Sequence, residues 1–117
     1  MPDASHKRLS LEARDLAHAT VLRVSGSADM AAAEELREGL QGLVDRQVPL
    51  IVIDLSELEF IGSMGLGAIV WGHLRSRHHQ GEIRLVSPRP AVRQMLEITC
   101  LTKVFPIYET VEQAVAG

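Results

Sequence analysis

A lone cysteine, Cys100, among 117 residues excludes an internal disulfide and accords with a reducing compartment. Aromatic residues make up only 3% of the chain, so its core must be aliphatic. There is no basic excess: 12 Lys and Arg stand against 15 Asp and Glu, a net charge of −3. That balance argues against a nucleic-acid or anionic-membrane binder, which shows a basic stripe. No apolar run approaches the roughly 20 residues that span a bilayer. The opening residues, Met1 to Lys7, carry no apolar stretch behind their charges, so no signal peptide is expected and the expected setting is cytoplasmic. Internal repeats and low-complexity linkers are also missing. What is present, 46% hydrophobic and 23% charged residues, is the composition of a folded domain. One domain over residues 1–117 is expected, with residues 1–7 and Gly117 disordered.

Leu9 and Leu11 alternate with polar residues, and Thr20 to Ser25 follows after a short polar break, which predicts two strands in a hairpin. Asp29 stands where an N-cap would open a helix from Met30. In that helix Ala33, Leu36, Leu40, Leu43 and Val44 fall on one stripe. Leu50 to Leu55 is a branched-aliphatic run suited to a strand buried on both faces. A shorter apolar piece, Leu58 to Ile61, comes next. A second helix then places Leu66, Ile69, Val70, His73 and Leu74 on one face and ends at Gly81 after a polar tail, Arg75 to Gln80. Ile83, Leu85 and Val86 predict a further strand. Pro90 starts a short helix that packs Val92, Met95 and Leu96. Val104 to Ile107 predicts an edge strand, and Thr110 caps a closing helix over Val111 to Val115. Strands and helices in this order make an α/β domain with a largely parallel sheet.

The segment Phe60-Ile61-Gly62-Ser63-Met64-Gly65-Leu66-Gly67 carries the most chemistry. It joins a buried strand to a helix, where α/β folds expose ligand-facing atoms. A serine at a helix start lies beside N–H groups without partners, and the positive end of the helix dipole favours a phosphate there. Spacing alone leaves a second explanation open, in which Ser63 is a plain N-cap and the glycines only ease packing. The glycine order G-x-x-G-x-G is not the dinucleotide fingerprint, and no Lys-Ser or Lys-Thr completes a P-loop. G-S-M-G is not a hydrolase elbow, and no acid–base partner for Ser63 is identifiable. His73, His78 and His79 lack ligand spacing, so no metal is expected. Cys100, among Ile98, Thr99 and Leu101, is expected to be a buried inert thiol. No catalytic constellation and no cofactor site emerge.

Several segments together resemble the STAS domain of bacterial anti-sigma factor antagonists. They are Gly26-Ser27-Ala28-Asp29, Ile53 to Ile61, Ser63-Met64-Gly65-Leu66-Gly67, Gly81 to Val92 and Leu96 to Phe105, and the likeness runs from about Leu9 to Val115. The resemblance implies a small α/β domain with a mixed central sheet of about five strands. It implies a non-enzymatic regulator that binds an anti-sigma factor, itself a serine protein kinase, and so frees sigma. Phosphorylation of the serine matching Ser63 would end that binding, and a PP2C-type phosphatase would restore it. Ser27, Asp29, Ile61, Gly62, Ser63, Met64 and Gly65 would form the partner surface. The family commonly has Asp-Ser-Ser-Gly or Asp-Ser-Thr-Gly; here Gly62 replaces the Asp and Met64 the second hydroxyl residue. Those departures keep open a scaffold or transport-associated STAS domain that binds protein without a phosphorylation cycle.

Overall fold

The computed structural model describes residues 8–117, so the expectation for residues 1–7 lies outside the described residues. Strand β1 (Ser10–Asp15) turns back on β2 (Thr20–Ala28) in the expected hairpin, pairing Ser10 with Ser25 and Asp15 with Thr20. The hairpin is followed by α1 (Ala33–Asp45), β3 (Leu50–Ile61), α2 (Ser63–Ser76), β4 (Glu82–Val86), α3 (Pro90–Ile98), β5 (Ile107–Tyr108) and α4 (Val111–Ala116). The sheet order is β1-β2-β3-β4-β5. Only the β1–β2 pair is antiparallel, so the sheet is mixed and the molecule is a single α/β domain.

Two layers of core follow from strand alternation. Leu22, Val24, Ile51, Ile53, Ile83 and Leu85 face α1, α2 and α3, and meet Leu36, Leu40, Leu66, Ile69, Val92 and Leu96 in one cluster. All five residues of the expected α1 stripe are buried. On the other face Val21, Val52 and Val86 pack a smaller cluster with Ala114 of α4. Arg84 ties α4 down: its guanidinium donates to Ala114 O at 2.7 Å and Gly117 O at 2.8 Å, and pairs with Glu82 at 3.0 Å. Thr110 caps α4 as expected, its hydroxyl accepting from Gln113 N at 3.1 Å.

The structure corrects the sequence reading at several points. Asp29 does not cap α1. Its carboxylate accepts from Ala32 N at 3.0 Å, closing a turn that the helix follows, and Ala32 takes the cap position without a side-chain bond. The strand expected over Leu50 to Leu55 runs on through Leu58 to Ile61. Leu74 is 56% exposed, whereas Ser76, placed in the polar tail, is fully buried. The buried face of α2 is Gly65, Leu66, Ala68, Ile69, Gly72 and Ser76; small residues there let the helix close on the strand ends at Gly65 and on Ile83 and Leu40 of α1 at Gly72. Gln80, not Gly81, makes the left-handed turn after α2, with φ 60°. The last strand is only Ile107–Tyr108, because a 3-10 turn over Leu101–Lys103 carries Phe105 into the core and leaves Val104 outside. Cys100 is exposed, standing past the inward Val92–Leu96 stripe at φ 61°.

His73 meets Phe105 edge to face, ring centroids 5.2 Å apart. Burial first, and the Arg77 guanidinium next, hold its imidazole below the usual range. The folded chain therefore binds fewer protons here than the unfolded chain. This contribution is complete above the unfolded value of 6.5 and is lost as pH falls through the folded value. Urea titrations from about pH 7 to about pH 5 should show stability falling with acidity, and His73→Gln should flatten that slope. An unchanged slope would assign the acid sensitivity elsewhere.

Candidate functional site

Two parallel strands end side by side and define the site. Ala28 at the end of β2 pairs with Ile61 at the end of β3, and Ser27 pairs with Phe60. Gly62 N donates to Ala28 O at 3.0 Å, which pins the β3–α2 junction to the β2 terminus. Two register shifts against β2 precede that junction, each an extra residue on β3. They redirect side chains. Ile51, Ile53 and Leu55 face the core in strict alternation, but Leu58 and Ile61 face it next, and Phe60 is left 43% exposed.

Gly62 is the N-cap of α2 and supplies no side-chain cap. Ser63 is therefore the first helical residue, which removes the plain N-cap explanation. Its side chain is exposed. An α-helix leaves its first four N–H groups without internal partners, and they carry the positive end of the dipole. No acidic residue occupies the first turn of α2. The backbone at Gly62 (φ −95°, ψ −178°) is extended, and a Cβ there would meet the Phe60 ring at 3.6 Å and Ala28 O at 3.9 Å, both ordinary contacts. The Asp that the resemblance implies at this position would fit at Gly62 and could cap the helix. Its replacement removes a cap, worth a few tenths of a kcal/mol relative to Gly, and leaves the Ser63 backbone in place.

Gly65 is different. A Cβ there would lie 2.9 Å from Ala28 O and 2.9 Å from Ile61 Cγ1. Only glycine lets α2 sit this close to the strand ends. Gly67, two residues on, would meet nothing within 4 Å.

The seven residues that the resemblance brings together do converge, but at different depths. Ser63 and Met64 are exposed, Met64 by 57%, and Asp29 and Gly62 are half-buried. Ser27, Ile61 and Gly65 are buried, so they shape the surface from below. Sequence reasoning missed Met30, 75% exposed, and Phe60, which with Met64 make the exposed ends of these strands and the helix apolar. The signal for Phe60 was hidden by the shifts in β3, since plain alternation does not locate an inserted residue. Met30 was read as helix and lies instead in the turn that Asp29 closes. The histidines are dispersed: His79 Nε2 lies 3.2 Å from Val48 O, its bonding partner, and His73 packs on Phe105. Among the described residues no three His, Cys, Asp or Glu side chains are grouped to hold a metal. No helix among them is long and apolar enough to cross a membrane.

Known proteins share this fold. The crystal structure of an anti-sigma factor antagonist from Mycobacterium paratuberculosis matches with a TM-score of 0.85 and 32% identity, covering 93% of this chain and 92% of its own. The anti-sigma F factor antagonist of Paenibacillus polymyxa is 30% identical over 90 residues, 76% of this chain and 77% of the relative. The Bacillus protein SpoIIAA in its phosphorylated form has the same fold, with a TM-score of 0.71 at 22% identity, covering 93% of this chain and 97% of its own. The STAS domain family matches residues 10–114, from the first residue of β1 to the buried Ala114 of α4, and the chain belongs to that family.

Proposed function

We propose that this protein is an anti-sigma factor antagonist whose docking on an anti-sigma factor is gated by phosphorylation of Ser63. The antagonist role is supported by the relatives' names, and the gate by the fold of SpoIIAA, a protein that has been solved carrying phosphate. The observation that carries the gate is the position of Ser63: exposed, first in α2, with no carboxylate in that turn. A hydroxyl here can be covered by a partner at little cost. Phosphorylation adds about −1.5 to −2 charges at neutral pH, which the dipole stabilises in the free protein and an apolar interface does not. The flanking Met30, Phe60 and Met64 supply that interface, and Met adapts its shape to a partner. Asp29 and Glu59 add like charge near the phosphate. A serine kinase that is also the anti-sigma factor, and a PP2C-type phosphatase, are the partners this cycle requires.

Incubation with the anti-sigma factor kinase and ATP, read by intact mass, tests the proposal. One phosphate on the parent chain and none on Ser63→Ala is the expected result, with the variant still binding its partner. Continued labelling of Ser63→Ala would move the gate to another residue. No labelling of the parent chain, with binding intact, would favour the scaffold reading that Gly62 and Met64 keep open.

A further inference from the structure

Strand β1 is an edge with no strand beyond it among the described residues. Edge strands of globular proteins are ordinarily blunted by Pro, by charged side chains, Lys above all, by bulges or by extreme shortness. Here Ser10–Asp15 has no Pro, pairs with β2 without a register shift and is six residues long, and its charges, Glu12, Arg14 and Asp15, are of both signs rather than one. Its outward backbone groups can be assigned. Leu16 N donates to Ala19 O at 2.7 Å, which turns the Leu16 backbone toward β2. Alternation along the strand then directs Ser10, Glu12 and Arg14 to β2 as well. The N–H and C=O of Leu11, Ala13 and Asp15 are left at the free edge.

We infer that this edge pairs antiparallel with β1 of a second copy of the chain, forming a two-fold dimer with one continuous sheet. The register follows from charge. Outward groups must meet outward groups, and only two such registers pair more than three β1 residues, one centred on Glu12 and one on Ala13. The first sets Glu12 against Glu12 of the second copy, a like-charge pair. The second sets Glu12 against Arg14 of the second copy and, by symmetry, Arg14 against Glu12. Both ion pairs then occupy non-hydrogen-bonded positions, where facing side chains come closest. A two-fold contact of this kind is self-complementary. Arg23 of β2 already lies 3.7 Å from Glu12, so each Glu12 would stand between two guanidiniums. The contact is small and exchanges rapidly, and β2 separates it from β3 and Ser63, so it is independent of the proposed gate.

Sedimentation of the full chain from low micromolar to millimolar concentration tests the pairing. Parent protein is expected to move from monomer toward dimer. Arg14→Glu alone and Glu12→Arg alone each create two like-charge pairs and should self-associate at least about tenfold more weakly. An equimolar mixture of the two variants should regain association, because Glu12 and Glu at 14 of one then face Arg at 14 and 12 of the other. Ala13→Pro removes the outward N–H at the two-fold and should be monomeric, giving an arm that does not depend on charge. Circular dichroism confirms that each variant is folded. A parent that stays monomeric at millimolar concentration, or a dimer indifferent to these changes, overturns the inference.

Discussion

Ser63→Asp is expected to weaken the complex with an anti-sigma factor about thirtyfold while leaving the free protein as stable as before or slightly more so. The two readouts move in opposite directions for one physical reason. In the free protein a carboxylate in the first turn of α2 meets the positive end of the helix dipole, worth about 0.3–1 kcal/mol at an exposed position. In the proposed complex the same charge would be taken out of water against Met30, Phe60 and Met64, with Asp29 and Glu59 adding like charge. A charge at the centre of an interface commonly costs on the order of 2 kcal/mol, which is the thirtyfold. Calorimetric titration together with a urea melt measures both. Equal losses of stability and affinity would mean that the variant damages the fold rather than the switch, and an unchanged dissociation constant would remove Ser63 from the interface.

Gly65→Val should lower stability by about 3 kcal/mol, the upper end of the usual cost of overpacking. The backbone at Gly65 is ordinary helix, so conformational freedom is not the issue. Space is. The added Cβ would overlap the Ala28 carbonyl oxygen and the Ile61 side chain, each at 2.9 Å, and the first of these is main chain that cannot swing aside. Relief requires α2 to lift from the strand ends, which strains the Gly62 N–H bond to the same oxygen. A lower urea midpoint at constant slope is the signature. Gly67→Ala, on the same helix with nothing within 4 Å, should instead gain roughly 0.5–1 kcal/mol from helix propensity. Effects of opposite sign at two glycines of one helix would show that contact with the strand ends, not helix propensity, governs the first turn. Loss of stability in both would refute that.

Much of this was readable from periodicity, and the failures share a cause. The α1 stripe, the run of branched residues in β3, Pro90 opening α3 and Thr110 capping α4 depend on neighbours within a turn or two, and each was recovered. Asp29 misled because an Asp–turn–helix sequence resembles an Asp-capped helix, and only the bond to Ala32 N distinguishes them. Leu74 and Ser76 exchanged places because the buried face of α2 is chosen by where α1 lies. An apolar count favours Leu74; close packing favours the small residues. Cys100 was judged by its apolar neighbours, whereas its position beyond the end of α3 decides its exposure. In the candidate site, the junction of strand, glycine and helix was legible, but the depth of each residue was not. Ile61 went below the surface and Phe60 above it through the inserted residues of β3, a property of pairing with β2.

Those inserted residues give β3 slack in its length. Glu59 is the residue inserted between Leu58, opposite Gly26, and Phe60, opposite Ser27. Deleting it would straighten the strand and leave both of those pairings, and that of Ile61 with Ala28, in place. Phe60 would stay outward, Ile61 inward, and Ser63 would keep its direction. The stretch before the junction can lose a syllable without changing where its last word falls.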